Sequence, residues 1–191
     1  MFYNARGAYC MISDDGRRFS HHRNCESTYK IFDMGRDVML FYDADTWYAY
    51  YCGKRMHART TKKLEGPWSE EAVDIGVTSN PESPFVVKYD GGYYLWSQKW
   101  VYYSKDPLDF SGPVIADMAD TGGKGYAPEI ILHEGRYYFA AYSRGIWLGK
   151  MKWVKKTPEE IINWRIETYD RCRPRTPEEK AIQSAKVRRW R

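Results

Sequence analysis

Pro84-Phe-Val-Val-Lys-Tyr-Asp-Gly-Gly-Tyr-Tyr-Leu-Trp-Ser97 reads as an apolar strand, a tight polar turn and an aromatic strand. Asp90-Gly91-Gly92 supplies residues that accept positive φ, as a hairpin turn demands. The pattern returns upstream in Val38-Met-Leu-Phe-Tyr-Asp-Ala-Asp-Thr-Trp-Tyr-Ala-Tyr-Tyr-Cys52. It returns downstream in Glu129-Ile-Ile-Leu-His-Glu-Gly-Arg-Tyr-Tyr-Phe-Ala-Ala-Tyr-Ser143, which turns on Glu134-Gly135-Arg136. The aromatic pairs Trp47-Tyr48, Tyr93-Tyr94 and Tyr137-Tyr138 stand 46 and 44 residues apart. That is about the length of one four-stranded propeller blade.

Outward from these hairpins, further strands complete each unit. Arg55-Met-His-Ala-Arg59, Trp100-Val-Tyr-Tyr-Ser104 and Gly145-Ile-Trp-Leu-Gly-Lys-Met-Lys-Trp153 read as third strands with turn-rich exits. A lone hairpin cannot bury both faces, so the units must stack on one another, as in a propeller. Met1-Phe-Tyr-Asn4 and Ala8-Tyr-Cys-Met-Ile-Ser13 look like the second and third strands of an earlier blade, whose first strand would lie upstream of Met1. The expected fold is all-β: a partial β-propeller of about three and a half blades over residues 1–155. A helical, basic tail follows over residues 156–191. Thr157-Pro-Glu-Glu160 is a capping box opening a helix through about Tyr169, and Thr176-Pro-Glu-Glu179 repeats the device. The second helix, Glu178 to Trp190, has few large apolar residues.

Composition narrows the function classes. Aromatic residues make up 17% of the chain and are mostly amphipathic, 17 Tyr and 8 Trp against 7 Phe. Such residues suit half-buried strands and also stack on sugar faces. The net charge of +5 gathers in the tail, at Arg171, Arg173, Arg175, Lys180, Lys186, Arg188, Arg189 and Arg191, so no nucleic-acid partner is expected. Cys10, Cys25, Cys52 and Cys172 lack the paired spacing of a zinc site, and His21, His22, His57 and His133 lack ligand spacing, so no metal and no cofactor are expected. There is no signal-peptide pattern and no apolar run of membrane-spanning length. The expected location is cytoplasmic, without a membrane partner.

Three short motifs resemble a known group of enzymes. Gly35-Arg36-Asp37, entering an apolar strand, looks like the Arg-Asp-Pro element of the propellers of glycoside hydrolase families 32 and 68, with Val38 where those have proline. Asn80-Pro81-Glu82-Ser83-Pro84 looks like the Glu-Xaa-Pro element that carries the general acid, and Tyr126-Ala-Pro-Glu129 is similar to the blade that follows it. The resemblance covers roughly residues 1–153 and includes family 43. It implies a five-bladed propeller that cleaves glycosidic bonds of an oligo- or polysaccharide. The acids at 37, 82 and 129 stand 45 and 47 residues apart, close to the repeat. In a propeller, an acid at the start of each first strand points into one funnel, and glycoside hydrolysis needs a pair of carboxylates brought together. An acid beside Pro or Gly at a strand entrance is also a common turn or cap residue.

By the resemblance Glu82 is the general acid, Asp37 stabilises the transition state, orients the sugar or raises the pKa of the acid, and Arg36 hydrogen-bonds within the site. Glu129, Trp96, Trp100 and Tyr126 are substrate-binding candidates, the aromatic ones as stacking platforms or as ordinary blade packing. The family's nucleophile or base is an Asp on the first strand of the first blade, a strand expected upstream of Met1. Asp14 and Asp15 sit in an Asp-Asp-Gly turn and do not replace it. The alternative to a hydrolase is therefore a non-catalytic carbohydrate-binding or scaffold propeller. An open arc would also expose a sheet edge and apolar surface, through which self-association is expected.

Overall fold

The computed structural model describes residues 2–4, 8–21, 30–32, 35–78, 81–118, 125–142, 145–155, 157 and 160, with only the backbone of 2–4, 8–10, 12, 20–21 and 30–32. The chain divides into two compact units, Met1–Trp153 and Val154–Arg191.

The first unit is built from antiparallel sheets. Strands β5 (Arg36–Asp43), β6 (Thr46–Cys52), β7 (Met56–Thr61) and β8 (Val73–Asp74) form a meander in sequence order, as do β9 (Phe85–Tyr89), β10 (Gly92–Ser97), β11 (Trp100–Ser104) and β12 (Ala116–Asp117). A third sheet holds β13 (Tyr126–His133), β14 (Arg136–Tyr142) and β15 (Ile146–Met151). The three hairpins close on two-residue turns, Ala44-Asp45, Asp90-Gly91 and Glu134-Gly135, every one of these residues at positive φ. That geometry matches the right-handed twist of the flanking strands. The first turn has no glycine, and Tyr42 donates its hydroxyl to Asp45 Oδ1 at 3.0 Å across it.

At the N-terminus β1 (Phe2–Asn4) pairs with β2 (Ala8–Ile12), and β2 also pairs with β3 (Ser20–His21) and β4 (Lys30–Phe32) along successive parts of its length. The sequence reading takes Phe2–Asn4 as a second strand. In the structure β1 lies beside β5, as β5 and β13 lie beside β9, so it occupies the place of a first strand.

The core lies between sheets, which is why the middle of each is apolar on both faces. Along β6, Tyr48, Tyr50 and Cys52 face the second sheet, while Ala49 and Tyr51 pack on the other side with Val38, Leu40 and Trp68. Along β10, Leu95 faces the first sheet and Trp96 the third. This alternation follows from the two-residue period of a strand. Trp153 closes the seam between the second and third sheets, stacked on Tyr89 with centroids 4.3 Å apart and in contact with Tyr94, Trp96 and Tyr137.

Strands β5 and β9 run side by side and are clamped at both ends. At the far end Lys88 Nζ bonds Asp43 Oδ1 and Oδ2 at 2.8 and 2.7 Å, and Tyr93 donates to Asp43 Oδ2 at 2.7 Å. The Lys88 hydrogen bonds, aided by Tyr93, hold the Asp43 carboxyl below its ordinary range in spite of partial burial. A carboxyl depressed in the folded state contributes stability above its unfolded pKa of about 3.9, and that contribution is lost as pH falls through the folded value. The melting temperature should therefore drop on acidification from about pH 5 to pH 2.5, and less steeply in Asp43→Asn, as thermal scans across that range would show. An equal slope in the variant would assign the acid sensitivity to other carboxylates.

In the second unit, the backbone N–H of Thr157 donates to Glu160 Oε2 at 2.6 Å and the Glu160 N–H to Thr157 Oγ1 at 3.2 Å. This is the reciprocal capping box expected there. The rest of the expected helices lies outside the described residues.

Candidate functional site

The site forms where the first strands of the sheets begin. Gly35, at φ 127°, lets the chain pass the Tyr51 ring so closely that a Cβ would lie 2.4 Å from Tyr51 Cδ2. Arg36 then pairs with Cys52, and the ladder slips before Met39. The third sheet repeats this: Tyr126 pairs with Tyr142 and the register slips before Glu129. In the second sheet the Gln98 N–H donates to the Glu82 carbonyl at 2.8 Å, the corresponding contact. The residue after each takes a left-handed conformation: Asp37 at φ 56°, Ser83 at 49° and Ala127 at 50°.

Arg36, Glu82 and Tyr126 are therefore equivalent, and so are Asp37, Ser83 and Ala127. The intervals are those of the aromatic pairs, 46 and 44 residues. This corrects the register through 37, 82 and 129. A bulge adds a residue to the strand without advancing its pairing, so acids at nearly the repeat distance need not share a position.

Asp37 and Glu82 nevertheless meet. Arg36 Nη1 donates to Asp37 Oδ2 at 2.6 Å and to Glu82 Oε1 at 2.9 Å, so the two oxygens are no farther apart than those lengths end to end. Asp37 Oδ2 also accepts the Ser83 N–H at 3.3 Å. The Gln98 side-chain amide donates to Glu82 Oε2, and the Glu82 N–H reaches Ser97 Oγ at 3.4 Å. The three charged side chains remain open to solvent, with Arg36 49%, Asp37 28% and Glu82 39% exposed.

Burial works against the Arg36 charge, but Asp37 and Glu82 outweigh it and hold the guanidinium above its ordinary pKa. Beneath them the Cys52 thiol is pushed up to about 12, first by burial and then by the Asp37 charge. It is a core residue and not a thiolate nucleophile.

The other candidates lie elsewhere. Trp96 is 5% exposed and packed between the second and third sheets, so its rings are core and offer no stacking platform. Trp100 packs against the core between the first and second sheets, and Lys99 Nζ sits 4.6 Å from its ring centroid. Tyr126 is 51% exposed, at the position equivalent to Glu82. Glu129 is exposed on β13, opposite Ala140, on the face away from buried Pro128 and Ile130. Among the described residues no three His, Cys, Asp or Glu side chains converge to hold a metal ion.

Sequence reading missed Gln98 and Ser83. A signal for Gln98 was present: Ser97 and Trp100 leave room for only a two-residue turn, and neither Gln98 nor Lys99 is a usual turn residue there.

No protein-family model and no curated protein matches the chain. Solved structures do. The GH43 protein BlXynB of Bacillus licheniformis superposes with a TM-score of 0.50 at 18% identity, over 67% of this chain and 30% of that one. The GH32 β-fructofuranosidase BmSUC1 of Bombyx mori also gives 0.50 at 18% identity, over 70% of this chain and 35% of that one. The chain thus spans about a third of the length of these structures. In fold it resembles the glycosidases of families 43 and 32.

Proposed function

We propose that the chain is a glycoside hydrolase-like protein, part of a β-propeller, whose carbohydrate site lies at Arg36, Asp37 and Glu82. The observation that carries this reading is the single guanidinium nitrogen touching two carboxylates from neighbouring sheets, at 2.6 and 2.9 Å. Glu82 would protonate the leaving oxygen, Asp37 would orient the sugar and stabilise the charge that develops on it, and Arg36 would hold the two in place; attack on the sugar carbon needs a nucleophile or base besides these three, which by the resemblance is a first-blade Asp. Tyr126, exposed at the equivalent position on the third sheet, offers a flat face for a sugar ring. The test is incubation of the full chain with arabino-, xylo- and fructo-oligosaccharides, with released sugar and binding heat measured together. Binding of one of these classes is expected, and turnover would mean that a nucleophile or base outside the family's pattern is at work; neither turnover nor binding would overturn the reading.

A second reading, a carbohydrate-binding propeller without turnover, has its own support. Both oxygens of Glu82 accept hydrogen bonds, from Arg36 and from Gln98, an arrangement suited to a fixed acceptor of sugar hydroxyls. Binding without turnover in the same experiment would select it.

Self-association belongs to the same proposal, and the exposed outer face of the third sheet supports it. In the third sheet Ile131, Tyr142, Ile146 and Leu148 lie on the side turned away from the second sheet and are 61, 60, 73 and 80% exposed. The corresponding side of the second sheet, with Phe85 and Val87, is covered by the third. A second copy would supply the same apolar stripe, with Glu129 and Lys150 on the two edge strands as candidates to pair across a two-fold axis. Sedimentation velocity should give a dimer, and Leu148→Asp a monomer. A wild-type monomer at high concentration would remove this partner.

A further inference from the structure

Eight non-glycine residues of the described chain have positive φ, and they fall into two groups. Ala44, Asp45, Asp90 and Glu134 form the hairpin turns at the far ends of the first strands, where such geometry is normal. Asp37, Ser83, Gln98 and Ala127 all sit at the candidate site. Three of these mark the repeated bulge. Gln98 does not: it is the first central residue of the tight turn joining β10 to β11, and positive φ falls on it and not on its turn partner Lys99. Glycine is the residue that takes this position without strain.

A side chain retained at a glycine position calls for a reason in what the side chain does. The Gln98 N–H donates to the Glu82 carbonyl at 2.8 Å, and its own carbonyl accepts the Ala127 N–H at 3.0 Å. The backbone of Gln98 thus ties the start of the second sheet to the start of the third. The side chain folds back and donates its amide to Glu82 Oε2, while Arg36 takes Oε1. With one donor on each oxygen, the carboxylate cannot rotate about its last bond without losing one of them. The backbone links need only a peptide group, which glycine also has. The amide needs glutamine.

We infer that Gln98 is a positioning residue: its amide fixes the orientation of the Glu82 carboxylate, and the left-handed backbone there is what places the amide. The inference rests on the proposed role of Glu82 at the site, but its test does not depend on turnover.

Two substitutions in the full chain separate the amide from the backbone. Gln98→Ala removes the amide and keeps the strain; Gln98→Gly removes both. In thermal unfolding, Gln98→Gly should melt about 2–4 °C above Gln98→Ala, the shift that relief of backbone strain produces in a chain of this size. In 13C relaxation of the Glu82 side chain, read with labelled glutamate, the wild type should be ordered and both variants equally mobile. On any oligosaccharide that the wild type turns over, both variants should lose up to about 10²-fold in kcat with little change in KM, and Gln98→Glu should not restore it. A merely structural role predicts the opposite: function and Glu82 order would follow stability, with glycine restoring both. That result, or a Glu82 side chain equally ordered in wild type and Gln98→Ala, would overturn the assignment. If no oligosaccharide is turned over, the relaxation and melting measurements still decide it, and only the proposed function fails.

Discussion

On any oligosaccharide that the wild type turns over, Glu82→Gln should lower kcat by about 10²–10⁴-fold while leaving the fold in place. Glutamine has nearly the same shape and can still accept from Arg36 through its amide oxygen, provided that Gln98 turns its own amide to present oxygen to the new NH2. It cannot hold a transferable proton, so the substitution removes chemistry more than packing. The neighbours sharpen the expectation. Arg36 Nη1 is shared between Asp37 and Glu82 at 2.6 and 2.9 Å, and when Glu82 becomes neutral the guanidinium keeps Asp37 as its remaining charged partner. The ion pair is partly solvated, so the melting temperature should move little. Activity on oligosaccharides and thermal unfolding, measured on the same preparation, make the check. Undiminished turnover in Glu82→Gln would remove Glu82 from the chemistry, and parallel loss of activity and folding would reduce it to a structural clamp.

The hairpins were legible because two independent signals agree in them. A period of two in apolar and aromatic residues coincides with turn residues at Asp90-Gly91 and Glu134-Gly135, and the spacing of Tyr93-Tyr94 from its counterparts set the repeat. The meeting of Asp37 and Glu82 was legible through the same repeat, though for a partly mistaken reason. The bulges after Arg36 and Tyr126 come from left-handed residues at Asp37 and Ala127. An aspartate and an alanine carry no common turn signature, so nothing in the sequence revealed the extra residue. Trp96 was left between two readings for a related reason. A tryptophan on a strand suits either a core or a sugar face, and only the stacking of the third sheet on the second shows that its side is covered. Gln98 was missed because its role depends on a side chain folding back across a turn, a contact that periodicity does not encode.

Phe110→Ala should destabilise the first unit by about 3–5 kcal/mol, the usual loss when a large aromatic is removed from a packed core. Phe110 is fully buried among Ile75, Tyr102 and their neighbours between the first and second sheets. It comes from the loop between β11 and β12, and its N–H donates to the Ile75 carbonyl at 2.7 Å. Just beyond Ile75, Gly76 passes the backbone of the same loop, where a Cβ would lie 2.8 Å from Ser111 Cα. Loop and sheet therefore meet too closely for another side chain to fill the space that alanine would leave. Because Phe110 joins two sheets, its removal tests whether they fold together. The amides of β6 and β10 should lose hydrogen-exchange protection by the same factor, since each sheet needs the other to cover one of its faces. Loss confined to β10 would mean that the first sheet is stabilised chiefly from its other side, through the cluster of Ala49, Tyr51 and Trp68. The pairing of Arg36 with Glu82 would then join two separately stable sheets, and the geometry of the site would depend on that ion pair more than on the core beneath it.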